Sequence, residues 1–464
     1  MILARSNVER HAIVFLIRTK YFINILDRIA GLSPRIWKFI ADFAIVLSFS
    51  GLGAAYLSGY RRLNRHLDVI LSLMGLTAII LWSPNLFLTL SLLLVLIMGV
   101  KSLSSIKNPN ADFLAATALI SVIWLRLSML PWFVVVLEGM FGLLVLVFAP
   151  LIENAFAISS GESTIPGVAP VILIPFKVGG EWCFPIPGMD ICIPVFYGVI
   201  ALISLLIVHE SAHGILARAH KLKLKSVGLL TVGPIPLGAF VEPDEEAFQK
   251  SDSLTRTRVL SMGSFANINL GIVTLLLFGF IALPSSMIVT ESPVHYIEAG
   301  TKIETIGDTP AVVGSFNTYL FPNKRWKIDE KSLEGRDNIT LTTDKGTFLL
   351  GAEDIKNLRI SAKPNFRFNY MIYGINIFGV LVGILFWSFF FNINVGLINL
   401  LPIPPFDGGK MLIELMSIVN INKSAVTRVL SVVILIGLLI LLVNAFPLFN
   451  MMAEYLNGLI ECYC

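Results

Sequence analysis

Charge is scarce in this chain. Asp, Glu, Lys and Arg make up 14% of its 464 residues, well below the roughly one quarter typical of a soluble domain, so a water-exposed surface cannot account for most of it. Histidine is scarcer still, at 6 residues, which makes any pair of histidines at a ligand spacing informative. The 4 cysteines, Cys183, Cys192, Cys462 and Cys464, are too few for a disulfide framework, and the Cys462-Tyr463-Cys464 pair lacks the other ligands of a structural zinc module. The Cys183 to Cys192 spacing fits either a bridge or two free thiols. The net charge of +4 is small, and the basic residues cluster beside apolar runs, so no nucleic-acid face is implied.

What fills the chain is apolar: 55% of it is hydrophobic and its mean hydropathy is +0.79. These values predict a polytopic α-helical membrane protein. Residues 1–38 carry Arg5, Arg10, Arg18, Lys20, Arg28 and Arg35 around short apolar pieces. They read as a basic amphipathic cytoplasmic lead-in on the membrane surface, with no cleavage site of a signal peptide. Residues 39–152 hold additional transmembrane segments, near Ile40–Leu57, Leu67–Trp82, Leu86–Val100, Phe113–Met129 and Pro131–Ile152. The second and third are short for a bilayer and are separated by Ser83-Pro84-Asn85.

Residues 153–283 contain the stretch on which the chemistry turns, IVHESAHGILARAH from Ile207 to His220. In a helix, positions i and i+4 share a face, so His209 and His213 can direct two imidazole nitrogens at one metal ion. Glu210, rotated by about 100° from His209, sits where a carboxylate can orient a water. Ionisable groups in so apolar a run are candidates for function. The following residues, Lys225 to Glu246, alternate and turn: Val227, Leu229 and Thr231, then Leu237, Ala239 and Val241, predict two short strands joined through Gly233-Pro234. A loop this apolar dips into the membrane where backbone lines a cavity. A further span, Val259 to Leu283, contains GSFAN, in which Gly263 and Asn267 share a face suited to close helix packing.

Apolar runs vanish over residues 284–366 and charge returns, so this segment predicts an inserted β-rich domain. In residues 367–450 a spanning run reaches NINVGLINLLPIPPFDGGKML, where Pro402, Pro404 and Pro405 interrupt the helix before Asp407-Gly408-Gly409. A carboxylate completes a two-histidine zinc set and leaves a fourth position for water, which makes Asp407 the candidate third ligand; an N-cap of the resuming helix is the other use of an Asp there. Residues 451–464 form a tail. Positive charge at Arg218–Lys225 and at Lys410, Lys423 and Arg428 places these ends on the cytoplasmic side.

The ordered set of motifs, His-Glu-x-x-His at His209–His213, the strand loop IPLGAFVEPDEE, Gly263-x-x-x-Asn267, and Asn-x-x-Pro-x-x-x-x-Asp-Gly from Asn399 to Gly408, resembles the site-two proteases, intramembrane zinc metalloproteases of archaeal and bacterial type. The resemblance implies a site-two protease-like helical core with a membrane-associated β-loop, a PDZ-like extracytoplasmic insert, and one Zn2+ per chain held by His209, His213 and Asp407 with Glu210 as the general base. It also implies that Asn394 and Asn399 lie beside the active site and grip substrate. The Gly238, Ala239, Phe240 and Val241 strand offers an edge for an unwound substrate segment, and Asn267 is a further candidate there. The expected partner is a membrane protein with a transmembrane helix, cut in or near that helix within the lipid bilayer, as in regulated intramembrane proteolysis. A metal-ion transporter, or a binding homologue without catalysis, is the alternative that broken helices with His and Asp leave open.

Overall fold

The computed structural model describes residues 7–11, 14–82, 108–128, 131–167, 175–178, 181–186, 191–232, 235–320, 338–416 and 423–463, with isolated positions between 92 and 99. Strands β1 (Asn7–His11) and β2 (Val14–Thr19) come first, followed by helices α1 (Tyr21–Leu32), α2 (Pro34–Ser58), α3 (Asn64–Trp82), α4 (Pro109–Leu127), α5 (Trp132–Phe141) and α6 (Leu143–Ser159). Strands β3 (Phe176–Val178), β4 (Glu181–Pro185) and β5 (Cys192–Pro194) lead into α7 (Val195–Ala219), the hairpin β6 (Leu224–Val232) and β7 (Ile235–Pro243), and α8 (Ser253–Ile281). The strands β8 (Ala282–Glu291), β9 (Lys302–Ile306), β10 (Thr309–Pro310), β11 (Val312–Val313), β12 (Asn338–Thr343), β13 (Gly346–Gly351) and β14 (Arg359–Phe366) precede α9 (Ile377–Ile398), α10 (Asp407–Met416) and α11 (Lys423–Tyr463).

Among the described residues, seven helical stretches are long and apolar enough to cross a membrane: α2, α3, α4, α7, α8, α9 and Leu430–Met451 of α11. The chain is therefore a mostly helical polytopic membrane protein, as its composition predicts. The span expected at Pro131–Ile152 is instead two helices broken at Gly142, whose φ of 74° a helix cannot contain. The segment expected at Leu86–Val100 lies largely outside the described residues.

The chain divides into two compact units. The first comprises residues 1–169, 202–270 and 391–464. Its packing centre is α2, which buries Ile45, Val46, Phe49 and Leu57 against Leu67, Ile70 and Leu71 of α3 and Ile120 of α4, in one cluster with Met411 and Leu415 of α10. Lipid is as apolar as these side chains, so burial alone does not hold such helices together; close packing and polar contacts do. The strongest of these contacts is buried. Arg258 of α8 donates from Nε and from one terminal nitrogen to the two oxygens of Asp42 on α2, both at 2.7 Å, and His66 of α3 lies 2.6 Å from the same carboxylate. The N-terminal helices thus buttress the helices that follow them.

The described part of the first 38 residues begins with strands, not a helix. Residues 7–11 and 14–19 are strands, and β2 pairs antiparallel with β6 from Val14↔Val232 to Thr19↔Val227, giving a four-stranded sheet in the order β1-β2-β6-β7. The sequence VFLIRT is rich in branched and aromatic residues, which favour a pleated surface, and it covers one edge of β6. Strand β7 remains at the edge of this sheet.

The second unit comprises residues 170–201 and 271–390. It contains the small sheet β3-β4-β5, in which Cys183 and Cys192 form a disulfide with a Cα separation of 5.4 Å. The β-rich segment expected at 284–366 is an antiparallel sheet in the order β11-β8-β9-β12-β13, with β10 on β9 and β14 on β8. Its core of Val289, Ile303, Ile339, Leu341, Leu350, Ile355 and Ile360 is that of a water-soluble domain, held by the hydrophobic effect as the helices are not.

Candidate metal centre

α7 is apolar almost throughout, and the polar residues of its second half gather on neighbours of the first unit. The rings of His209 and His213 stand edge to face with centroids 4.7 Å apart, and their Nε2 atoms are 3.1 Å apart. Asp407 Oδ2 lies 3.4 Å from His209 Nε2 and 3.1 Å from His213 Nε2. Three lone-pair donors this close repel one another unless a cation sits between them. For a tetrahedral zinc with bonds of about 2.0–2.1 Å, donor atoms are separated by roughly 3.3–3.4 Å, so the three atoms fit the faces of that ion's coordination shell. Their side chains are 12–15% exposed, which leaves a route for a fourth ligand.

The distal nitrogens of the two rings are also held. His213 Nδ1 is 2.7 Å from the Val259 carbonyl oxygen. A carbonyl can only accept, so Nδ1 carries the proton and Nε2 keeps its lone pair for a metal. His209 Nδ1 is 3.1 Å from the side-chain amide of Asn267, which is fully buried. Asn267 therefore touches the ring of His209 from within the helix packing. Gly263, four residues earlier, does not serve helix packing: a Cβ there would lie 2.3 Å from His213 Nε2 and 2.7 Å from His209 Nε2. The position is bare because the imidazoles occupy the space.

Asp407 is delivered by a folded-back loop. α9 ends at Ile398, the prolines that follow cannot continue it, and the Gly408 N–H donates to the Asn399 carbonyl at 2.8 Å. A Cβ on Gly408 would meet the Leu400 carbonyl oxygen at 2.1 Å, so only glycine allows the loop to close this tightly. α10 then begins at Asp407, whose carboxylate turns to the histidines. Two turns further along α10, Glu414 receives a two-pronged contact from Arg256 at 2.6 and 2.9 Å, which ties this helix to α8.

Glu210 is not among the three converging donors. Its Oε2 accepts from the Val241 N–H of β7 at 2.9 Å. One N–H cannot also serve β6, so the backbone groups of Val241, and by alternation those of Ala239, face away from the β6 ladder. Gly238 and Phe240 pair toward β6, opposite Leu230 and Gly228. Asn394 lies on an exposed part of α9, and Asn399 is half-buried at its end, where its carbonyl braces the Asp407 loop. The structure thus gathers His209, His213, Asp407, Glu210, Asn267 and β7. Sequence reasoning missed the Val259 carbonyl, the reason for Gly263, and the Asp42–Arg258 pair; only Gly263, inside GSFAN, carried a visible signal.

Comparison with known proteins agrees with this geometry. The chain is 27% identical over 298 residues to an uncharacterized protein of Methanocaldococcus jannaschii, an alignment covering 62% of this chain and 70% of the relative. The profile of Peptidase family M50 matches residues 197–444. That stretch is more than half of the chain and runs unbroken from the two-histidine helix through the Asn267 helix to the Asp407 loop, and on this ground the chain belongs to peptidase family M50, whose members are membrane metallopeptidases.

Proposed function

We propose that this protein is a zinc endopeptidase that hydrolyses peptide bonds in or near transmembrane segments of other membrane proteins, as in regulated intramembrane proteolysis. The observation that carries the reading is the convergence of His209 Nε2, His213 Nε2 and Asp407 Oδ2 to within 3.1–3.4 Å, with Glu210 beside them but outside the donor set. Two imidazoles, one carboxylate and an open fourth position suit one zinc ion per chain, which when bound supplies a Lewis acid for water and for the scissile carbonyl. Glu210 accepts the proton of the attacking water and passes it to the leaving amine nitrogen. The Val259 carbonyl holds His213 in the tautomer that leaves Nε2 free, and Asn267 does the same for His209 once its side-chain amide is flipped to set the oxygen, otherwise without a partner, against Nδ1–H.

A transmembrane helix hides its carbonyls in its own hydrogen bonds and has to unwind before attack. The outward edge of β7 around Ala239 and Val241 suits an added strand, so the unwound segment pairs there, next to the donors. Asn394 and Asn399 extend this surface along the Asp407 side. The metal centre lies toward the cytoplasm and the β-rich, PDZ-like domain outside; α7 supports this, running from the disulfide end at Cys192 to the basic end at Arg218, Lys221, Lys223 and Lys225.

The discriminating experiment is Glu210→Gln. Metal content measured by elemental analysis stays at one zinc per chain, while cleavage of a reconstituted transmembrane substrate falls by at least about 10³-fold, the scale of a lost general base. A variant that still cleaves overturns the reading; one that moves metal across vesicles supports a transporter.

A further inference from the structure

The first unit contains a second built cavity, of about 530 Å³, away from the three metal donors. This is within the range of small-molecule sites. Arg35 and Lys38 of α2, Arg62 and His66 near the start of α3, His220 just past α7 and Arg258 of α8 line it, together with one carboxylate, Asp252, beside Thr255. The charges do not balance. Arg258 is matched by Asp42, and Arg62 by Asp252 at 3.0 Å, whereas Arg35 and Lys38 make no ion pair with a described carboxylate. Both unmatched cations sit in the opening turns of α2, which has no acidic residue in its first turn; a helix N-terminus repels cations and favours an anion.

His220 adds an imidazole. Its Nδ1 is 3.0 Å from Thr255 Oγ1, and its Nε2 is buried with no hydrogen-bond partner. Burial, with Lys38 and Arg258 nearby, pushes its pKa down to about 4, so the ring is neutral at pH 7. His220 therefore lines the cavity as an uncharged ring tied to Thr255.

We propose that this cavity binds a phosphate-bearing anion, with Lys38, Arg35 and Arg62 on the phosphate oxygens. Two unmatched positive charges suit a phosphate better than a single carboxylate, and guanidinium groups fit phosphate oxygens in pairs. The phosphate belongs either to the headgroup of an anionic phospholipid, since the cavity lies where α2, α7 and α8 begin or end their spans, or to a soluble phosphate compound. Occupancy clamps α2, the start of α3, the end of α7 and the start of α8 together. Arg258 directly precedes Val259, whose carbonyl orients His213.

The test uses the full-length protein in neutral detergent, with two probes. Inorganic phosphate is titrated while thermal unfolding is followed, and native mass spectrometry reports lipid retained after passage through phosphatidylcholine vesicles with or without phosphatidylglycerol. Saturable stabilisation by phosphate, or retention of phosphatidylglycerol over phosphatidylcholine, is expected. Lys38→Gln and Arg35→Gln should each weaken it by roughly tenfold, the worth of one charge-assisted contact, whereas Lys363→Ala on β14, which lines no part of the cavity, changes nothing. Phosphate binding alone identifies a soluble ligand, and retained phosphatidylglycerol that phosphate displaces identifies a headgroup. Binding of neither probe, or binding that both α2 variants leave intact while their metal content and melting temperature in phosphate-free buffer stay those of the parent, overturns the proposal.

Discussion

Replacing Gly263 by alanine adds one methyl group at the point where the two ligand rings meet α8. That carbon would lie 2.3 Å from His213 Nε2, 2.6 Å from His209 Cε1 and 2.7 Å from His209 Nε2. An unbonded contact needs roughly 3.5 Å, so something must retreat by about 1 Å, and metal–ligand distances tolerate only about 0.2 Å. The rings cannot retreat freely, because His213 Nδ1 is held by Val259 and His209 Nδ1 by Asn267. Disturbing such supporting contacts alone weakens metal binding by 10–100-fold. The steric clash puts Gly263→Ala at or beyond the upper end, about 100-fold or about 2.7 kcal/mol. Zinc competition against a chromophoric chelator measures this directly. The metal-free protein should lose some stability too, because overpacking costs about 1–3 kcal/mol and the helix preference of alanine over glycine returns at most about 1 kcal/mol. Gly279→Ala on the same helix, where a Cβ meets nothing within 4 Å, is the silent control. Parental zinc affinity in Gly263→Ala would refute the placement of the donors.

Other perturbations give equally distinct outcomes. Ala239→Pro removes an outward N–H without touching the β6 ladder, and proline is tolerated on a sheet edge; cleavage of a helical substrate should be lost while zinc content stays constant, and full cleavage would exclude edge pairing. Asp42→Ala leaves Arg258 buried without its partner, so unfolding in denaturant should show a loss of about 3–5 kcal/mol, whereas removing the exposed Asp252 partner of Arg62 should change stability by about 1 kcal/mol or less. The lowered pKa of His220 makes its charged form unfavourable in the folded state. In anion-free buffer, its contribution is complete above the unfolded-state value of about 6.5 and is lost as pH falls from there toward about 4. Lys38, Arg258 and Arg62 oppose its protonation and Asp252 favours it. A pH series of melting temperatures for the parent and His220→Gln should diverge only below about pH 6.5.

The metal donors were legible because their chemistry leaves local marks: two histidines four apart need only a helix, and Asp407 follows three prolines that no helix can hold. The hairpin at 224–243 was legible from alternation and from Gly233-Pro234. The strands at 7–11 and 14–19 were not, because a six-residue run such as VFLIRT, with Val14, Ile17 and Thr19 β-branched, becomes a strand only when β6 offers an edge more than 200 residues later. The Asp42–Arg258 contact likewise joins residues 216 positions apart, and either residue alone looks like an ordinary charge at the end of a span. The partner of Asn267 was not legible for a related reason. An amide on an apolar helix face advertises a polar partner without saying whether that partner is a substrate or, as here, a histidine ring.

On the proposed mechanism, the contact between Glu210 and the Val241 N–H sets the proposed base and the proposed docking edge in competition for one hydrogen. A chain that adds to β7 in a register using that N–H has to take it from the carboxylate, so docking and release of the base are one event. A helix that stays wound offers no backbone acceptor to make the exchange and leaves the carboxylate capped. Selectivity for unwindable segments would then need no separate reading device: under the proposed mechanism the Glu210–Val241 bond is the one that the substrate must replace.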